Sequence, residues 1–287
     1  MRLNRVTLYF VLVFIFIAFN FYLRPIKGNK LITSQYRESE AYLNGLYKSD
    51  EYFKSKVLKK SDYYVYRKII DASFNNESKV TIKCNDDCSS FKNAYNAIYL
   101  DHPELLSFLG IRAYKINNNR VTYDNLDNLG KIRTTLGSMR IEREMENIRE
   151  DTKKMNDKEK ILYVYNYVAS HNYDTVFTYL GSNQSAYSFF TKKSSVCAGF
   201  AKASQIIFQN IGISSYLVMS SDHMWNYVKY DGKYYIFDAT VGASYSDKNN
   251  HGYYDGLGVT TTGDVYGMYK ELYPKIEEKS LREIFNV

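Results

Sequence analysis

An α+β fold is what the sequence predicts, and three observations predict it. Short alternating apolar runs at Lys79-Val80-Thr81-Ile82-Lys83 and at residues 111–116 and 120–123 carry the period of strands. Ile161, Val164, Tyr165 and Val168 carry the i, i+3, i+4, i+7 spacing of a helix that packs on a core. Last comes Ser194-Ser195-Val196-Cys197-Ala198-Gly199-Phe200-Ala201-Lys202-Ala203, a cysteine at the start of a buried helix, followed by strand-like runs. The expected core is this helix packed on an antiparallel sheet. A small α+β region precedes it, and an N-terminal transmembrane helix precedes both.

The amino terminus supplies that last expectation. Residues 1–5 are short and basic, and residues 6–23 are apolar except for Thr7 and Asn20 before Arg24-Pro25 ends the run. The run has the length of a short membrane span, and no small-residue cleavage pattern follows it. It reads as an uncleaved signal anchor with the remaining chain outside. The expected divisions are a tail (1–5), the anchor (6–23), a polar lead-in or stalk (24–60), an α+β region (61–154) and a catalytic domain (155–287).

Composition narrows the functional class. With 287 residues, 30 Tyr, 1 Trp and a net charge of +7 that forms no tract, the chain reads as globular with a solvated surface. No nucleic-acid partner is expected. Cys84 and Cys88 are two ligands short of a zinc site. They read either as a local disulfide in an oxidising compartment or as two free, inert thiols.

The elements follow in order. Residues 62–70 read as a helix, and Ser89-Ser90 as the cap of another through Tyr99, which Asp101-His102-Pro103-Glu104 breaks. His102 reads as a surface or capping residue. Asn117-Asn118-Asn119 turns a hairpin between residues 111–116 and 120–123. Residues 128–155 mix Arg and Glu as a solvated helix does. A clearer helix begins at Asn156 or Asp157, with His171 as a C-terminal cap. Residues 184–190 form a short helix leading to Cys197. Ser194 or Ser195 is a candidate cap for the Cys197 helix, whose small residues, Gly199 among them, let neighbouring backbone approach.

Gly212 ends that helix. Residues 215–219 and 222–230 read as strands, and Asp231-Gly232 is a strong two-residue hairpin turn into residues 233–240. With Asp231 and Gly232 as the loop, Tyr230 pairs with Lys233, Trp225 faces Asp238 and His223 faces Thr240. His223 and Asp238 then share a face as diagonal neighbours about 7–8 Å apart. A slip of one residue would separate them. A cysteine at a helix onset, where the dipole favours a thiolate, plus a His–Asp pair is the set that acyl transfer requires. Cys197 is the expected nucleophile, His223 the base and Asp238 its orienter. The Cys197 N–H is one oxyanion donor, with Gln184 and Tyr187 as candidates for the second.

Three stretches, residues 196–203, 223–228 and 234–240, together resemble the transglutaminase-like superfamily, whose fold is papain-like. The resemblance is specific over about residues 155–242 and looser over 62–127, where Asp101-His102-Pro103-Glu104-Leu105 looks like a segment upstream of the core in bacterial relatives. It implies the same roles for Cys197, His223 and Asp238, and makes Trp225 and Asn226 structural parts of the motif. The Arg-Gly-Gly of the arylamine acetyltransferases and the zinc pairs of the deglycosylating amidases are absent from the sequence.

The expected function is a membrane-anchored cysteine acyl-transfer enzyme acting on amide bonds of proteins or peptides, cell-wall peptide included. It is placed at the cell membrane as a single-pass protein with its catalytic domain outside. The alternatives are a cysteine peptidase or amidase of the same fold, and a non-catalytic surface scaffold or assembly module. No cofactor is expected. No metal is expected either, since Asp247-Lys248-Asn249-Asn250 and Asp255 do not match a calcium loop.

Overall fold

The computed structural model describes residues 49–287 apart from 75–76, 85–87, 106–113, 125–127, 175–182, 246 and 259–268. All of them lie in one compact unit, Leu43–Val287. The architecture mixes helix and sheet, compatible with a papain- or transglutaminase-like domain. The transmembrane part of the expected fold is corrected. No helix of the described residues is long and apolar enough to cross a membrane, and residues 6–23 lie outside them.

Helices α1 (Tyr52–Val57) and α2 (Tyr63–Phe74) open the described chain. Strand β1 (Lys79–Lys83), helix α3 (Ser89–Asp101) and strands β2 (Tyr114–Asn117) and β3 (Arg120–Asp124) follow. The strands form an antiparallel sheet in the order β1-β3-β2. Strict alternation sends Val80 and Ile82 inward, and register pairs them with Tyr123 and Val121, so one face is dry. Phe91 of α3 packs on Tyr123 at 5.7 Å between ring centroids. Cys84 and Cys88 are joined as a disulfide between β1 and α3. Cys88 itself, in a left-handed conformation, stands at the cap position of α3 that the serines were expected to fill.

Helix α4 (Asn128–Thr152) leads to α5 (Asp157–Ala169). Helix α5 starts in a capping box: the Asn156 side chain accepts from the Glu159 N–H, and the Glu159 carboxylate accepts from the Asn156 N–H. Its stripe of Ile161, Val164, Tyr165 and Val168 is buried, as the spacing predicts. Strand β4 (Asn172–Tyr173), helix α6 (Ala186–Lys192) and strand β5 (Ser194–Ser195) then bring the chain to α7 (Cys197–Asn210). Every residue from Ala198 to Gln209 in α7 is buried, so this helix is the central element of the core.

The second sheet, β6 (Ser215–Met219), β7 (Met224–Tyr230) and β8 (Lys233–Phe237), is antiparallel in the order β6-β7-β8. Asp231 and Gly232 both take positive φ (48° and 77°), the geometry of a tight hairpin turn. Tyr230 pairs with Lys233 and Asn226 with Phe237, the register the turn predicts. One face carries Asn226 and Phe237. The Asn226 amide donates to the Ala201 carbonyl of α7 at 3.0 Å, and Phe237 meets Phe208 edge-on at 4.9 Å. The other face carries Val218, Trp225, Tyr227 and Ile236, covered by Tyr273 and Ile276. The Tyr273 hydroxyl donates to the Leu217 carbonyl at 2.6 Å, and Phe53 of α1 packs edge-on against Tyr273 at 5.1 Å. Residues 49–57 and 270–285, neither of them in the resembling stretches, therefore form part of the core.

The ladder is shorter than expected at one end. It stops at Met224 and Phe237, and residues from Ala239 turn into helix α8 (Ala239–Ala243) instead of continuing the strand. The cause lies at Asp238: its carboxylate accepts from the Thr240 N–H as an N-cap, and its N–H donates to the Gly256 carbonyl at 2.8 Å.

Candidate active site

The site is built where the amino terminus of α7 meets the end of the second sheet. Strand β5 runs parallel to β4, with Asn172 opposite Ser194 and Tyr173 opposite Ser195. The serines expected to cap α7 are thus strand residues. The Ser194 hydroxyl donates to the Asp174 carboxylate, and Ser195 donates to the Asn183 carbonyl. The N-cap of α7 is Val196, which offers no side-chain acceptor. The first N–H of the helix, that of Cys197, instead donates to the Tyr173 hydroxyl at 3.4 Å.

Gly199 explains how the helix onset fits here. A methyl group on it would run into the Ser195 side chain and come within 3.0 Å of the Ser185 carbonyl. Only a residue without Cβ lets α7 settle on this bed, which sets the height of Cys197 above it.

His223 lies just before β7. The turn beneath it is fastened twice: His223 N–H donates to the Ser220 hydroxyl at 3.0 Å, and Ser220 N–H donates to the His223 carbonyl at 2.9 Å. One ring nitrogen, Nε2, lies 2.7 Å from Asp238 Oδ2, and the ring also hydrogen-bonds the Cys197 thiol. Trp225 stacks parallel to the imidazole at 5.9 Å. Asp238 is 2% exposed, and its other oxygen accepts from the Thr240 N–H and hydroxyl. Behind it, a Cβ on Gly256 would collide with the Asp238 carbonyl.

The electrostatics follow from these contacts. Burial alone pulls the His223 pKa down. The hydrogen bonds to Asp238 and Cys197, and the charges of both, outweigh it and raise the pKa to about 10. Burial alone pushes the Cys197 thiol up. Its hydrogen bond to His223 and the imidazolium charge, helped by the Met224 backbone and the Tyr173 hydroxyl, hold it below the ordinary thiol range. The favoured state is therefore a thiolate beside an imidazolium. A cleft of about 440 Å³ adjoins the imidazole, lined by Tyr173, His223, Asp238, Thr240, Val241, Ser244 and Tyr245.

The structure thus brings Cys197, His223 and Asp238 together, with Trp225, Asn226 and Gly199 as their supports. Gln184 and Tyr187 are held through their backbone carbonyls. The Gln184 carbonyl accepts from Lys202 at 3.1 Å, and the Tyr187 carbonyl accepts from Thr191 at 2.6 Å. Tyr173 was missed because a two-residue parallel pairing leaves no periodic signal. His102, read from the sequence as a surface or capping residue, is the C-cap residue of α3 and is held between carboxylates. Its Nδ1 is 2.6 Å from Glu104, and its Nε2 is 3.9 Å from Glu51.

Comparison with known proteins agrees at the level of the superfamily. The family model described as the transglutaminase-like superfamily matches residues 146–239, about a third of the chain. No curated protein matches. A solved structure described as a crystal structure of a TGase is 17% identical, with a TM-score of 0.35. The match covers 60% of this chain and 52% of that one, so the chain spans about half the length of that structure.

These findings overturn four expectations. The similarity reaches the superfamily and no particular reaction, so membrane-anchored acyl transfer does not stand as the function. No spanning helix occurs among the described residues, so attachment through residues 6–23 and a single-pass location are left without support, residues 6–23 themselves lying outside the described residues. Nothing found identifies a protein, a peptide or cell-wall peptide as the substrate. What the chain has is a distant, low-identity likeness to a transglutaminase- or protease-type fold.

Proposed function

We propose that this chain is a cysteine-dependent amide hydrolase, a peptidase or amidase of this fold. One observation carries the reading: a single imidazole is hydrogen-bonded to a buried carboxylate on one side and to the thiol of a helix-onset cysteine on the other. In this reading the Cys197 thiolate attacks the amide carbon. The imidazolium of His223 gives its proton to the leaving amine, and a thioester remains. Water entering from the cleft, deprotonated by His223, hydrolyses the thioester. Asp238 holds the ring and favours its charged form.

The lining of the cleft favours water over an amine as acceptor. Among the described residues, its carboxylate is Asp238, already engaged by His223, and the rest are Tyr, Thr, Val and Ser. An ammonium group finds no free counter-charge there.

The test is an intact-mass measurement with p-nitrophenyl acetate and a panel of fluorogenic amides in oxygen-18 water. The wild type should show an acetyl adduct on Cys197 that decays, and the carboxylate released from an amide should carry one heavy oxygen. Cys197→Ala should show neither. Equal turnover in Cys197→Ala would sink the reading.

A further inference from the structure

Nucleophile, base and orienter leave one requirement unmet. As the carbonyl oxygen turns anionic, it needs hydrogen-bond donors already aimed at it. The Cys197 N–H is one, at the start of α7, where the N-cap residue Val196 offers no side-chain cap. Resting on the hydrolase reading above, we propose that the Tyr173 hydroxyl is the second oxyanion donor and therefore a catalytic residue.

The position comes first. The Tyr173 oxygen lies 3.4 Å from the Cys197 nitrogen and also hydrogen-bonds the thiol. Two donors at that separation can both stand about 2.7–3.1 Å from one substrate oxygen, the geometry such a site demands. Rigidity comes second. Tyr173 is fixed by backbone on both sides: Asn172 N–H donates to the Lys193 carbonyl at 3.1 Å and Asp174 N–H to the Ser195 carbonyl at 2.8 Å. Its ring rests on Phe200 at 5.6 Å. Access comes third, since Tyr173 lines the cleft together with His223 and Asp238 and is 38% exposed. Burial and the neighbouring thiolate raise its pKa to about 12, so it stays protonated and donates at neutral pH.

In the free enzyme this hydroxyl accepts from the Cys197 N–H and donates to the thiolate. When sulfur bonds to the carbonyl carbon, the C=O π pair moves onto oxygen. The Tyr173 O–H then leaves the sulfur, whose charge has gone, and turns with the Cys197 N–H onto the new oxyanion. Collapse restores the C=O and breaks the bond to the leaving group. Tyr173 neither loses nor gains a proton.

The test compares two reactions of Cys197 in the full chain, with Tyr173→Phe against wild type. Acylation by p-nitrophenyl acetate passes through an oxyanion, whereas alkylation by iodoacetamide does not. Phenylalanine keeps the ring on Phe200, and alkylation itself reports a folded, reactive thiolate. Tyr173→Phe should slow acylation by about 10²-fold. Its alkylation rate, read at a pH where the thiol is fully ionised in both proteins, should be unchanged. Acylation at the wild-type rate would overturn the role, as would an equal loss in both reactions, which would assign the hydroxyl to the thiolate alone. A wild-type protein that the ester does not acylate at Cys197 overturns both this inference and the hydrolase reading.

Discussion

His223 faces two partners with a common effect. The Asp238 carboxylate and the Cys197 thiolate each favour the charged ring, and together they outweigh its burial. The sign of the pH dependence follows. Imidazolium favours thiolate, so Cys197 stays reactive below the ordinary thiol pKa of about 8.5. The ion pair is lost as pH rises through about 10, where His223 deprotonates. In Asp238→Asn the ring loses a counter-charge, binds its proton less tightly and favours the thiolate less. The rate of iodoacetamide alkylation plotted against pH should shift toward higher pH, and ester acylation should fall on the order of 10³-fold. An unshifted profile would mean that Asp238 does not act through His223. At this scale the sequence was informative for a definite reason. A two-residue Asp-Gly turn sets a hairpin register, and register decides which side chains meet. Tyr173 had no such signpost.

At the scale of elements, close approach of backbone decides where α7 starts. Gly199→Ala places a methyl group against Ser195 and the Ser185 carbonyl, in a bed made of backbone and short hydroxyl side chains. The expected cost is about 1–3 kcal/mol in a urea unfolding midpoint. Gly212→Ala is the contrasting change. Nothing lies within 4 Å of that position, and its φ of 81° alone opposes a side chain. Its cost should be nearer 1 kcal/mol, from the left-handed backbone. A Gly199→Ala midpoint at or above that of Gly212→Ala would mean that the bed yields. The small residues around Cys197 were legible as a sign of close packing, but what they pack against was not. Ser194 and Ser195 have the chemistry of helix caps and serve as a strand, because their partner is the Asn172–Tyr173 segment twenty-odd residues earlier.

At the scale of the whole molecule, the described unit is tied together by a buried charged knot away from the cleft. Asp101, 2% exposed, accepts from the Phe53 and Lys54 N–H groups at the start of α1 and from the Tyr66 hydroxyl of α2. Burial raises its pKa to about 6. Gln205 and Gln209 of α7 donate to the Leu100 and Asp101 carbonyls at 2.9 and 3.1 Å, linking the knot to the helix that carries Cys197. His102 completes it. Burial pulls its pKa down, but the charge and hydrogen bond of Glu104, then Glu51, outweigh that and raise it to about 10. A histidine whose proton is held more tightly when folded adds stability that is full below about 6.5 and lost as pH rises through about 10. Melting temperature should therefore fall across that window. His102→Gln should melt lower at pH 7 and show a shallower fall, with the part due to His223 remaining. A slope equal to that of wild type would remove His102 as a source.

Read alone, the sequence determined what periodicity and turn chemistry can encode. It placed β1, the stripe of α5, the helix that begins at Cys197, and a hairpin whose register sets His223 near Asp238. These are local rules, in which a residue's neighbours in the chain carry most of the information. Tertiary structure decided the rest. It ended the ladder at Phe237, because Asp238 does better as a cap bonded to Gly256 than as a strand residue. It drew Tyr52, Phe53, Tyr273 and Ile276 over the far face of the second sheet, which is buried on both sides. It also set the Tyr173 hydroxyl at the Cys197 N–H through a parallel pairing two residues long. Contacts of that kind depend on which surfaces remain uncovered once the core has formed, and no stretch of sequence shorter than the fold states that.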